Sequence, residues 1–113
     1  MKIINYIYEV LEVGEFDEKL KAKEENSYNL GKCDYKNQKI YLAKEMTKER
    51  KFNVLVHELT HAYIEASGKY SFRDKMKSED ICEFMGTYGK EIIDRANDYF
   101  NIKFKNTIKE IKK

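Results

Sequence analysis

Tryptophan and proline are absent from the 113 residues, glycine occurs five times, and cysteine and histidine only twice each. Two cysteines exclude a disulfide-dense scaffold, and five scattered glycines exclude a collagen-like repeat. No apolar run is more than a few residues long, so nothing can span a bilayer, which needs about 20. The opening MKIINYIYEV lacks the apolar core and small-residue cleavage site of a secretion signal. A cytoplasmic location with two reduced thiols, Cys33 and Cys82, is therefore expected. Arginine is scarce, at three against 19 lysines, and lysine lacks the planar fork that reads phosphates and guanines. Net charge is +2, from 22 basic and 20 acidic residues. Neither nucleic acid nor a membrane is an expected partner on that balance.

What remains is a folded composition: 42% apolar and 13% aromatic, with nine tyrosines and six phenylalanines. That suffices for one modest core, so residues 1–113 are read as a single domain. Ile3–Val13 carries the β-branched and tyrosine content of a strand, although Ile7 and Leu11 blur its alternation. Residues 14–29 are polar and read as a loop with one helical turn. Leu30–Tyr35 and Lys39–Ala43 flank the polar Lys36-Asn37-Gln38 and read as a β-hairpin, with Ile40 and Leu42 on one side and Tyr41 on the other.

From residue 46 the period changes. Phe52, Leu55, Val56, Leu59, Ala62, Tyr63 and Ala66 recur at steps of three and four, which predicts an amphipathic helix. Thr47 is its expected N-cap and Gly68 its stop. A second helix should open at Ser78, with Glu79 and Asp80 in its first turn, and run to about Phe100. The tail 101–113 carries five lysines and one glutamate and reads as a short helix or a frayed basic end. The predicted fold class is α+β: a small, mostly antiparallel sheet from residues 1–45 packed on two principal helices.

Both histidines fall in one pentapeptide, His57-Glu58-Leu59-Thr60-His61. Four residues advance a helix by 400°, so the two imidazoles stand about 40° apart on one face, one turn apart. That spacing lets both bind one metal ion. Glu58 borders the same face without being placed to ligate, which suits a general base for a metal-activated water. A catalytic zinc site usually has three protein ligands. No third histidine exists, so a carboxylate or thiolate must serve. Glu79 is the leading third ligand, and Glu83, one turn on, the outer partner that fixes a histidine tautomer. Asp80 and Cys82 compete for the ligand role. Tyr63, Tyr70 and Tyr88 are candidate donors for an oxyanion, with nothing in the sequence to choose among them.

HELTH resembles the zinc-binding pentapeptide of the thermolysin-like gluzincins. Ser78-Glu79-Asp80-Ile81-Cys82-Glu83 is similar to that group's second motif, which implies Glu79 as ligand and Glu83 as its outer partner. Across roughly residues 28–100, the hairpin Gly31–Leu42, the LVHELTHAY helix and the EDICEFMGTYG helix resemble the small phage and prophage metallopeptidase-like proteins of the ImmA/IrrE type. The resemblance implies Zn²⁺ as cofactor and hydrolysis of a protein or peptide substrate. A phage or host regulator of the repressor type is the substrate or partner it suggests. The alternative is a non-catalytic phage module that binds a protein and keeps zinc as a structural staple. The sequence sets neither the oligomeric state nor the cleavage preference. A strand beside the HExxH helix could add a peptide at its edge, and Lys39–Ala43 is the candidate edge.

The first expected outcome concerns metal. Mass spectrometry of untagged protein should find near one zinc per chain, lost in His61→Ala. Wild-type protein that stays metal-free after incubation with zinc would return both histidines to ordinary packing roles.

Overall fold

The computed structural model describes residues 1–24, 26–68 and 76–112, the last ten as helix backbone only. Five short strands precede two helices: β1 (Lys2–Ile3), β2 (Tyr6–Ile7), β3 (Glu9–Val13), β4 (Gly31–Asp34), β5 (Lys39–Ala43), α1 (Lys48–Ser67) and α2 (Ser78–Lys112). A single 3-10 turn, Glu18–Leu20, interrupts the polar stretch between β3 and β4. The order gives the expected α+β class.

The N-terminal strand is divided rather than continuous. The chain reverses at Ile4-Asn5, where Ile4 takes the left-handed conformation (φ 55). β1 and β2 thus form their own antiparallel pair, and only β3 enters the main sheet. The reversal lets Ile3 and Tyr8 both point into the core while Ile7 stays 65% exposed. This is the cause of the blurred alternation.

The main sheet has the order β3-β5-β4. β3 runs parallel to β5, with Glu9 opposite Lys39, and β4 runs antiparallel to it, with Gly31 opposite Leu42. β5 is therefore central, and the expectation of Lys39–Ala43 as an edge is overturned. A central strand is covered on both faces. Ile40 and Leu42 join the core with Leu55 and Leu59 of α1, while Tyr41 and Ala43 pack with Leu20 on the other side. The β4–β5 turn is shaped by Asp34, whose carboxylate accepts from Asn37 N at 3.1 Å and Asn37 Nδ2 at 2.9 Å.

α1 begins and ends as its sequence predicts. Thr47 Oγ1 accepts from Arg50 N at 3.2 Å, and Gly68 closes the helix in the left-handed conformation (φ 65) that a Cβ disfavours. Its buried stripe is Leu55, Leu59, Ala62 and Tyr63. Each large side chain here contributes roughly 1.5–3 kcal/mol by burial. α1 packs on β4 and β5 and also on α2. α2 presents Phe84, Ile92, Ala96 and Phe100 to the core. It continues past Phe100 to Lys112, so the basic tail is helical backbone. Its 35 residues span about 50 Å, comparable to the molecule's longest extent of 50 Å. Among the described residues no helix is long and apolar enough to cross a membrane.

One carboxylate ties three elements together. Glu12 of β3 accepts from Lys51 Nζ of α1 at 2.5 Å and from Tyr99 OH of α2 at 2.5 Å. The Lys51 and Glu12 side chains are only 10% and 14% exposed. A second tie runs from Tyr63 OH to Glu91 at 2.9 Å, while Arg95, on the same helix as Glu91, donates to the Lys2 carbonyl. Removing one partner of a buried charge leaves the other desolvated and poorly compensated. Lys51→Met should lower the unfolding free energy by about 3 kcal/mol, and Tyr99→Phe by about 2 kcal/mol. In urea titrations the double variant should fall short of the sum, because both act on one carboxylate.

Candidate metal centre

His57, Glu58 and His61 sit in the middle of α1 on the side facing β4. His57 is exposed, His61 half-buried and Glu58 buried at 7% exposure. The two imidazoles turn their Nε2 atoms toward each other, 3.2 Å apart, with ring planes 74° apart. A tetrahedral ion with Zn–N of 2.0–2.1 Å requires its nitrogens about 3.4 Å apart. The pair therefore matches the bite of one zinc ion with only a small adjustment.

Glu58 lies beneath β4. A Cβ placed on Gly31 would come within 3.0 Å of Glu58 Cγ and 2.6 Å of Val54 Cγ1, so only glycine lets the strand approach this closely. Gly31 and Cys33 lie opposite Leu42 and Ile40, and so face α1. Ala43 N donates to the Leu30 carbonyl at 2.9 Å, which fixes the hydrogen-bonding parity of the hairpin. Lys32 and Asp34 direct their backbone groups to β5, whereas those of Gly31 and Cys33 point to the outer edge. Among the described residues no strand pairs with that edge. Between it and α1 lies an open groove of about 1050 Å³, whose lining includes Leu30, Tyr35, Arg50, Asn53, His57, Glu58 and His61.

Burial sets the electrostatics. It pushes the Glu58 carboxyl above the usual carboxylate range, with the His57 charge opposing. Burial, and then the His57 charge, lowers the His61 imidazole. The Cys33 thiol is pushed up to about 12, first by burial and then by the Glu58 charge, which keeps it a neutral thiol. Both cysteines are free, and Cys82 is exposed. Burial also raises the Tyr35 phenol, with Cys33 and Glu58 adding to it.

The remaining predicted residues fall elsewhere. Glu79 is exposed on the first turn of α2. Asp80 caps that helix, its Oδ2 accepting from Lys77 N at 3.1 Å. Glu83 is exposed one turn further on. Among the described residues no three His, Cys, Asp or Glu side chains form a group able to hold a metal, so none of these acids joins the histidine pair there. Tyr63 is a fully buried core residue with its hydroxyl on Glu91, and Tyr88 packs against Tyr63 and Phe84, so neither lines the groove. Tyr70 lies outside the described residues. Among the described residues the tyrosines on the groove are Tyr28 and Tyr35, which sequence reasoning missed. The signal for Tyr35 was its alternation with Gly31 and Cys33. For Arg50 it was the seven-residue step to His57.

Comparison of the chain with protein-family models, with curated proteins and with solved structures finds no match.

The close approach at Gly31 has a direct test. Gly31→Ala should destabilise the protein by about 1–3 kcal/mol, since an added methyl must displace Val54 or the strand. Gly86→Ala, in the exposed interior of α2 with open space at its Cβ, should instead stabilise by about 0.5–1 kcal/mol. Thermal unfolding of the two variants should shift in opposite directions.

Proposed function

We propose that this protein is a zinc-dependent peptide-bond hydrolase of the metallopeptidase type. The observation that carries the reading is the histidine pair, 3.2 Å apart at Nε2, beside a buried Glu58 on an open groove. A bound zinc ion supplies Lewis acidity and lowers the pKa of a coordinated water. His57 and His61 would hold it. The third ligand suggested by the sequence resemblance is Glu79, which stands apart from the histidine pair and would have to be brought to it when metal binds; Asp80 is engaged as the cap of α2.

The chain's own groups supply the rest. Glu58, with its carboxyl raised by burial, takes the proton of the attacking water and passes it to the leaving amine. Raising the pKa of a carboxylate brings a general base closer to neutral pH, where it can both accept and return a proton. The outward backbone groups of Gly31 and Cys33 hold an extended peptide by strand addition, a role that belongs to β4 rather than β5. Tyr35 stays protonated and lines the groove, which makes its hydroxyl the proposed oxyanion donor. The substrate class is a protein or peptide in extended conformation, and a cytoplasmic repressor-type regulator is the candidate suggested by the sequence resemblance.

Glu58→Gln separates hydrolysis from a zinc staple. With zinc content unchanged, the variant should lose about 10²–10⁴-fold in turnover of a quenched casein substrate. Zinc-loaded wild type that cleaves nothing, or a variant as fast as wild type, would leave the non-catalytic binding module as the account.

A further inference from the structure

We infer that the groove selects a peptide with an acidic side chain, held by Arg50; this rests on reading the groove as a peptide site. Arg50 lines the groove on the same helix as His57, seven residues earlier. Seven residues advance 700°, which leaves the two positions about 20° apart in angle and about 10.5 Å apart along the axis. An extended chain rises about 3.3–3.4 Å per residue, so three residues bridge the two positions. β4 has its first residue, Gly31, against Val54, which lies between Arg50 and His57 on α1. Further along, Cys33 and Tyr35 lie within reach of the Glu58 and Glu65 charges, so β4 runs in the same sense as α1, and a peptide added antiparallel to its open edge passes the histidines and continues toward Arg50 in its C-terminal direction.

The charge of Arg50 is available to a ligand. It is exposed, and among the described residues no carboxylate lies within ion-pair distance of it. By contrast, Arg95 is engaged with Glu91 and the Lys2 carbonyl. Among the described residues the other charged groups on the groove are Lys32, Glu49 and the Glu58–histidine cluster. Lys32 lies opposite Tyr41 and so projects from the far face of the sheet. Among the described residues Glu49 is the one exposed opposing charge on the rim, about 100° around the helix from Arg50. A guanidinium presents a planar fork that matches a carboxylate in two hydrogen bonds, which a lysine cannot do.

The test is fluorescence anisotropy with the full chain. Three fluorescein-labelled decapeptides share one Ala/Ser/Val background and carry two Glu, two Gln or two Lys residues. Each is titrated with one equivalent of zinc and, separately, in EDTA. Wild type should bind the Glu peptide roughly fivefold tighter than the Lys peptide at low salt, with or without zinc. Arg50→Glu should reverse the order, Arg50→Lys should keep a weaker preference, and Glu49→Gln should strengthen it. Lys90→Glu, the same charge change on a distant exposed site, should leave it intact. Equal affinity for the three peptides, binding of none, or a preference that survives Arg50→Glu overturns the inference. Cleavage of the peptides is scored separately. Cleavage without charge preference removes this inference and leaves hydrolysis standing, whereas preference without cleavage does the reverse.

Discussion

The contact between the β4 backbone and α1 at Gly31 is the constraint on which the rest of the site depends. A strand normally stands off a helix by the length of two side chains. Here one of them is missing, and the strand settles against Val54 and Glu58. Two results follow from that single absence. Glu58 is covered and desolvated, which raises its carboxyl. The outer edge of β4 is brought to the rim where His57 and His61 turn their nitrogens together. The buried carboxylate, the histidine pair and the free hydrogen-bonding edge are one geometric fact seen from three sides.

Chemistry and scaffold are otherwise segregated along the chain. The groove is drawn from residues 28–61. The apolar cover for the opposite side of α1 comes from Phe84, Ile92, Ala96 and Phe100. The polar ties at Glu12 and Glu91 hold this second layer in place without entering the groove. That division leaves the groove surface open to variation in charge while the packing beneath it stays fixed.

Much of this was legible in the sequence because helices declare themselves locally. Thr47, Gly68 and the buried stripe of α1 state the bounds of the helix and its inward face, and once the helix is fixed the four-residue step brings the histidines together. The β4–β5 hairpin was equally local. Strand neighbours are another matter. The alternation of Lys39–Ala43 is the same whether the strand is central or at the edge, and only the long-range arrival of β3 decides it. The reversal at Ile4 was hidden because isoleucine rarely takes a left-handed conformation. That Tyr63 and Tyr88 lie away from the groove was hidden for the same reason as the strand order. Which hydroxyl faces the groove depends on a register across the sheet, and Tyr63 proved to be committed to Glu91.

The tie between Glu12 and Tyr99 joins residues 87 apart in sequence. During synthesis the His57–His61 pentapeptide and both groove walls are made well before the residues that close the core behind α1. Domains settle as units, and contacts this distant in sequence form late. Until Phe84–Phe100 has been made, α1 has one bare apolar face, and its position against β4 is not held from behind. The protein thus carries its own timer. The groove acquires a fixed shape only after Phe84–Phe100 has emerged, so a chain made no further than the groove itself has no rigid cleft in which to engage its neighbours.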